Sequence, residues 1–369
     1  MSLVLYRKYR PQTFAEIIGQ SQITQTLQNE IKLGKIAHAY LFSGPRGLGK
    51  TSIARIFAKA INCQASKGSE PCNQCNSCQS ITAGTNLDLV EIDAASTRGI
   101  NDIRELKEQV RFKPSGGHYK VFIIDEAHML TTPAFNALLK TLEEPPEYAV
   151  FILATTEPHK LPETIISRCQ HFNFKKVEQA EIVKLLDKIA RKEGIKEIDQ
   201  RVLESIARQS EGCVRDAQTL LGEVLVLDDK KISLEQAELV IPRSQFNLVA
   251  DLTKRVISQD RASSLELINQ FVEQGIDLVQ FSQDWLEFLR KMLLVKVNSN
   301  LNKFTLTLDK KVEEVMREIN QQTNLEDILR LFELIIQSQQ KVKYAILSQI
   351  PLELAILEYI RDDSEPGNK

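Results

Sequence analysis

Residues 44–51 read Gly44-Pro45-Arg46-Gly47-Leu48-Gly49-Lys50-Thr51, a complete G-x-x-x-x-G-K-[ST] loop. No other segment restricts the fold as tightly, because such a loop works only between a strand that delivers it and a helix that receives it. Both flanks are present: the apolar run around Leu41-Phe42 precedes it, and Ser52-Ile53-Ala54-Arg55-Ile56 opens a helix behind it. A chance glycine turn would not come with that context. The glycines let backbone N–H groups turn inward around phosphate oxygens, and the helix N-terminus adds a favourable dipole. Lys50 is expected to neutralise the β- and γ-phosphates, and the Thr51 hydroxyl to bind Mg²⁺.

The surrounding pattern agrees with an α/β domain. Ala39-Tyr40-Leu41-Phe42, Leu87-Asp88-Leu89-Val90-Glu91-Ile92, Val121-Phe122-Ile123-Ile124 and Val150-Phe151-Ile152-Leu153-Ala154 are short apolar runs separated by helical stretches. Runs of this kind suit the buried strands of a parallel sheet in a three-layer domain. Thr132 can cap a helix with Pro133 in its first turn. From about 177 onward the strand signal vanishes, and Gly194 and Gly212 punctuate short helices. Beyond Pro242 two stripes, Leu265-Ile268-Val272 and Leu325-Ile328-Leu329-Phe332-Ile336, follow helical spacing and predict the core of a helical bundle. The chain ends on a polar segment, 363–369.

A length of 369 residues predicts two or three domains, and 43% hydrophobic residues are enough for each to bury a core. No stretch approaches the roughly 20 apolar residues of a membrane span, and the first eight residues lack the features of a secretory signal. A cytoplasmic protein with no membrane partner is expected. A net charge of −2 argues against coating DNA by bulk charge but leaves room for a local basic stripe.

Val121-Phe122-Ile123-Ile124-Asp125-Glu126 supplies the partner motif. A buried strand ending in two acids brings Asp125 to the sheet edge beside the phosphate loop, where it can help hold Mg²⁺ while Glu126 polarises an attacking water. Together with the loop this predicts nucleotide hydrolysis. Asp125-Glu126-Ala127-His128 also spells a helicase box, but a helicase needs a second motor domain and no second sheet is foreseen. Thr155 and Thr156 end another strand at the same edge, and Ser167-Arg168-Cys169 offers an arginine for transition-state charge. Singly, each reads more readily as an ordinary strand-end threonine or a surface arginine.

Four of the six cysteines, Cys63, Cys72, Cys75 and Cys78, form a C-x8-C-x2-C-x2-C cluster. In a reducing compartment this points to metal before disulfides. Four thiolates match a closed structural Zn²⁺ site, with an iron–sulfur cluster as the rival and the polar turn residues favouring zinc. Cys169 and Cys213 are isolated and are expected simply to pack. Arg104, Lys107 and Arg111 fall at i, i+3, i+7, opposite Ile103, Leu106 and Val110. Such a stripe can track a phosphate backbone, and with Glu105 and Glu108 beside it, it is equally a solvated face.

Lys8-Tyr9-Arg10-Pro11-Gln12-Thr13-Phe14, Ile18-Gly19-Gln20 and His38-Ala39-Tyr40-Leu41-Phe42-Ser43-Gly44 resemble the nucleotide-binding segments of clamp-loader ATPases. So do Asn136-Ala137-Leu138-Leu139-Lys140-Thr141-Leu142-Glu143-Glu144-Pro145-Pro146, Leu153-Ala154-Thr155-Thr156 and Ser167-Arg168-Cys169. The cysteine insert narrows the resemblance to the bacterial gamma/tau subunits of the DNA polymerase III clamp loader. The specific motifs span 6–217; the region after 243 is similar only as a helical domain of suitable length.

The resemblance implies an AAA+ fold. A RecA-like domain would occupy 1–176, with a zinc module at about 62–79, followed by a three-helix lid at 177–241 and an all-helical collar at 242–362 that oligomerises. It implies that Lys50, Thr51 and Asp125 bind phosphate and Mg²⁺ and that Glu126 activates water. Thr155 would sense the γ-phosphate, Arg215 would be a second sensor on the lid, and Arg168 would be a finger completing a neighbour's ATP. It further implies Zn²⁺ on Cys63, Cys72, Cys75 and Cys78, and duplex DNA near Arg98, Arg104, Lys107 and Arg111. Expected partners are delta and delta-prime subunits, other copies of the chain, the beta sliding clamp and primed DNA, with a route to single-strand binding protein through accessory subunits, all within the nucleoid-associated replisome. ATP would drive loading of the clamp onto primed DNA. A non-catalytic delta-prime-like scaffold would lack a working phosphate loop, and a branch-migration motor of the AAA+ class would lack the cysteines. Gln218-Thr219-Leu220-Leu221-Gly222-Glu223 departs from the family's more usual Ser-Leu-Leu-Asp-Gln run. The chain's end resembles that of a short gamma-type product or of a shortened tau-like chain.

Overall fold

The structure, a computed structural model, describes residues 4–66, 68–97, 99–227, 231–237, 240, 246–297 and 310–360. It divides into two compact units, Met1–Ile241 and Pro242–Lys369. Arg98 and the polar tail at 363–369 lie outside the described residues.

The first unit is built on five parallel strands, β1 (Ala39–Ser43), β2 (Leu89–Asp93), β3 (Lys120–Asp125), β4 (Ala149–Thr155) and β5 (Gln170–Asn173), in the order β2-β3-β4-β1-β5. The middles of the three inner strands, Tyr40–Phe42, Val121–Ile124 and Val150–Ala154, are continuous buried runs because both faces are covered. On one face Tyr40, Phe42, Ile123 and Ile152 pack with Ile53 and Phe57 of the helix Lys50–Ile61. On the other, Leu41, Phe122 and Phe151 pack with Ile103, Leu106 and Leu138. Register aligns Ser43 with Thr155 and Asp93 with Asp125, so one carboxyl edge of the sheet gathers these polar ends. That edge is where ligands bind in open α/β sheets.

The expected strands are present with three adjustments. β2 begins at Leu89, since Leu87 is 78% exposed. β5 was not foreseen: only Phe172 of its four residues faces the core. Beyond residue 177, where no strands were expected, Glu197–Ile198 and Lys231–Ile232 form a two-residue parallel pair. The helix Thr132–Glu143 has Thr131, not Thr132, at its N-cap, so the two adjacent threonines are out by one position.

Residues after 177 in this unit form the helices Gln179–Lys192, Gln200–Gln209 and Val214–Val224, with a short fourth at Leu234–Ala237. Their core includes Ile182, Leu186, Ile206 and Leu221, and Leu5 from the chain's start joins it. In the departing run, Gln218 and Leu221 are buried and Gly222 packs on Leu5, so the segment is accommodated.

Among the described residues the second unit is all helical, spanning Phe246–Ile257, Arg261–Glu273, Leu278–Val297, Lys310–Gln322, Leu325–Val342 and Ile350–Tyr359. Its core centres on Phe271, Phe281, Trp285, Phe288 and Met292. Both expected stripes are displaced. Leu267, Ile268 and Phe271 are buried while Val272 is exposed; Ile328, Leu331 and Ile335 are buried while Leu325, Leu329 and Ile336 are exposed. Each helix carries apolar residues on two adjacent faces, and only one faces this core. No described helix is long and apolar enough to cross a membrane.

Candidate functional site

The phosphate loop turns directly from β1 into the helix Lys50–Ile61. Gly44, Gly47 and Gly49 all have positive φ (137°, 72° and 92°), which glycine permits both at the two fingerprint positions and at Gly47 between them. Lys50 is buried, and its ammonium donates to the carbonyls of Gly44 (2.6 Å) and Pro45 (2.8 Å). Burial pushes its pKa down, with Glu126 and Asp125 pulling the other way. The Thr51 hydroxyl donates to Asp125 Oδ2 at 2.7 Å, so loop and strand end meet as the motifs predicted. Leu48 is buried, and the Arg46 side chain is 83% exposed, 3.8 Å from Asp216.

Glu126 follows with a left-handed backbone, φ 47°, at the end of β3. The Thr156 hydroxyl donates to its Oε2 (3.1 Å), and His128 Nδ1 lies 3.4 Å from the same oxygen. Thr155 is fully buried: its hydroxyl contacts His128 Nδ1 (3.0 Å) and accepts the Glu157 N–H (3.0 Å). Thr156, not Thr155, therefore touches the acid. A strand-end threonine pair carries no signal for which hydroxyl reaches the acid.

These residues open onto a cavity of about 480 Å³ lined by three segments: residues 6–12 and 16–18, the loop with Asp125 and Glu126, and the helices carrying Lys188, Lys192, Arg215 and Gln218. Eight cationic side chains line it against three carboxylates, a balance suited to a polyanion. Arg215 stacks on the Tyr6 ring (4.6 Å to the centroid), and its N–H donates to the Gly47 carbonyl at 3.3 Å. A Cβ at Gly47 would run into Cys213 Sγ. Cys213 was expected simply to pack; it does so directly against the phosphate loop. Tyr6, Lys188 and Lys192 were missed, since they are brought in only by tertiary packing.

Arg168 does not line this cavity. It donates to Glu143 Oε1 (2.8 Å) and the Thr164 carbonyl (2.8 Å) on another part of the surface. Arg104 and Arg111 are exposed and Lys107 half-buried on the helix Ile100–Val110, with Ile103, Leu106 and Val110 beneath; Arg111 pairs with Glu108 at 3.0 Å.

The four cysteines converge, with all four Sγ atoms within 4.8 Å of one another. Cys63 follows the phosphate-loop helix, and Cys75 and Cys78 flank the start of the helix Asn76–Ala83. Backbone N–H groups point at sulfur: Cys72 N–H at Cys63 (3.3 Å), and Gln74 (3.4 Å) and Cys75 (3.3 Å) at Cys72. The latter pair holds the Cys72 thiol down at about 6, whereas burial pushes Cys78 up. The donor set fits a closed tetrathiolate site.

A parallel sheet in this order, a phosphate loop after the inner strand β1 and a following helical bundle define an α/β domain of the AAA+ class. The model for "DNA polymerase III, delta subunit" matches residues 19–178, and that for "DNA polymerase III subunits gamma and tau domain III" matches 235–368. The chain is 43% identical over 96% of its length to DNA polymerase III subunit tau of Bacillus subtilis, covering 62% of that protein. It is 36% identical over 97% of its length to subunit gamma of Buchnera aphidicola from Acyrthosiphon pisum, covering 98% of it. Among solved structures, the Bacillus subtilis DNA clamp loader delta protein aligns over 91% of this chain and 99% of its own, at 15% identity and a TM-score of 0.42. The chain belongs to the gamma/tau subunit family of the DNA polymerase III clamp loader. It spans less than two thirds of the length of the tau relative from Bacillus.

Proposed function

We propose that the chain is an ATP-hydrolysing subunit that, with delta and delta-prime partners and further copies of itself, opens the beta sliding clamp and loads it onto primed DNA. The observation that carries this is the complete set of groups converging on one cationic cavity: the loop, Lys50, and Thr51 bonded to Asp125 at 2.7 Å. A scaffold relieved of catalysis has no need of that set.

Lys50 would exchange the carbonyls of Gly44 and Pro45 for phosphate oxygens, and Thr51 and Asp125 would hold Mg²⁺, which neutralises phosphate charge. Glu126, oriented by Thr156, would take a proton from the attacking water. Arg215 would report nucleotide to the lid. Arg168, turned to Glu143 on the surface, is free of its own cavity and suited to a neighbour's. Cys63, Cys72, Cys75 and Cys78 would hold Zn²⁺ structurally. Exposed apolar stripes on consecutive helices, Leu325, Leu329 and Ile336, then Ile350, Leu354 and Leu357, support self-association through the second unit. Arg104, Lys107 and Arg111 remain the candidate DNA contacts.

The test is paired. Lys50→Ala is expected to lose ATPγS binding by at least about 100-fold, from one desolvated charge pair of about 4 kcal/mol less the bonds it gives up. Arg168→Ala is expected to bind normally yet lose turnover in the assembled ring. Wild-type hydrolysis from a ring carrying only Arg168→Ala copies would sink the neighbour assignment.

A further inference from the structure

The N-terminal segment 5–18 is held at two places, and one of them is the cysteine module. Glu70, two residues before Cys72, accepts the backbone N–H groups of Phe14 (2.9 Å) and Ala15 (3.1 Å) and the Gln28 side-chain amide (2.9 Å). Asn73, between Cys72 and Cys75, donates to the Gln12 carbonyl at 3.4 Å. The same Asn73 accepts from the buried Lys59 ammonium (2.6 Å), which also donates to Gln12 Oε1 at 2.8 Å. At the other place, Lys8 pairs with Glu193 at 2.7 Å and Leu5 enters the core of the helices after 177. Tyr9, Arg10, Pro11 and Gln12 between these anchors, and Glu16, Ile17 and Ile18 just past them, form part of the cavity wall.

From this arrangement we infer that the four-cysteine module positions the N-terminal strap for the nucleotide, with Glu70 and Asn73 as the positioning residues. The proposal rests on the nucleotide-binding reading above and adds a role for a module that touches no part of the cavity itself. The physical logic is one of order. Among its described residues, the segment between Cys63 and Cys78 includes only the start of one short helix, Asn76–Ala83, and small segments of this kind hold shape through cross-links or a metal, not a core. With the sulfurs drawn together, Glu70 and Asn73 are fixed relative to the helix Lys50–Ile61, and through it to the phosphate loop. The strap then meets the nucleotide already ordered, and little conformational entropy is lost on binding. Asn73 has a left-handed backbone, φ 57°, so its side chain is aimed by the turn itself.

The experiment uses the full chain carrying Glu70→Ala and Asn73→Gly together. Neither is a ligand, and glycine keeps the left-handed turn at 73. Metal content, ATPγS affinity by calorimetry and amide hydrogen exchange at 12–18 are measured in parallel. The expected result is unchanged metal content, ATPγS binding about tenfold weaker, as the loss of charge-assisted bonds to the strap implies, and faster exchange at Phe14 and Ala15. In the assembled complex, KM for ATP rises while kcat holds. Stripping the metal from the unaltered chain is expected to produce the same pair of changes. Unchanged affinity and unchanged exchange in the double variant, with metal retained, overturn the proposal. Lys50→Ala separates the two levels: if it binds ATPγS as the unaltered chain does, the nucleotide reading has failed. The strap exchange still decides the tether.

Discussion

The contact between the phosphate loop and the helix Val214–Val224 can be broken by one methyl group. Gly47 has φ +72°, and a Cβ there would collide with Cys213 Sγ and lie 3.1 Å from Arg215 Cβ. Gly47→Ala therefore carries two separable costs. The left-handed backbone costs alanine about 1–2 kcal/mol, and overpacking against Cys213 adds about 1–3 kcal/mol. Relief comes most easily if the helix backs away, taking Arg215 and Gln218 from the cavity. ATPγS affinity measured by calorimetry is expected to fall by roughly 30–100-fold, equivalent to about 2–3 kcal/mol. Adding Cys213→Ala removes the collision but not the backbone strain, so the double variant is expected to recover about tenfold. A cycle in which Gly47→Ala costs nothing, or in which the two changes simply add, would refute the contact between the loop and the helix Val214–Val224 and the role given to Arg215.

Two further outcomes follow from the same geometry. Asp88 is 5% exposed, and although burial raises its pKa, the N–H groups of Ser115 (2.7 Å), Gly116 (2.9 Å) and Gly117 (2.9 Å) outweigh this and hold it below the ordinary value. The carboxylate is thus favoured in the fold, so its stabilisation is complete above the unfolded pKa of about 3.9 and is lost as pH falls through the lower folded value. Asp88→Asn is expected to lower stability at pH 7 by about 1–3 kcal/mol in urea unfolding followed by far-UV CD, and the gap to the unaltered chain should close below about pH 4; a gap independent of pH would count against the ionised cage. Glu126→Gln is expected to keep nucleotide affinity while lowering turnover at least about 100-fold; equal loss of binding would mean that Glu126 holds nucleotide and is not the base.

What the sequence made legible was whatever is local. The phosphate loop, the Asp125-Glu126 strand end and the cysteine cluster each sit within one short segment, and the geometry brings each together. The inner strands announced themselves because burial on both faces demands continuous apolar residues. β5 did not, since an edge strand with one inward Phe172 looks like loop. The helical stripes of the second unit were seen but misassigned by face, because Leu325 and Leu329 are as apolar as the buried Ile328 and Leu331; spacing alone does not separate a face for the core from one for a partner. The strap was beyond reach for another reason. Glu70 meets Phe14 across 56 residues and Lys8 meets Glu193 across 185, and no periodicity encodes such pairs.

The central claim is tested most directly by steady-state ATP hydrolysis by the chain alone, then with delta-type partners, then with the sliding clamp and primed DNA added. If Arg168 completes a neighbour's site, the lone chain hydrolyses slowly and the rate rises steeply only when partners, clamp and primed DNA are all present. A rate that ignores the clamp yet responds to any DNA would contradict the account and point to a DNA motor. No hydrolysis under any condition would reduce the chain to a scaffold.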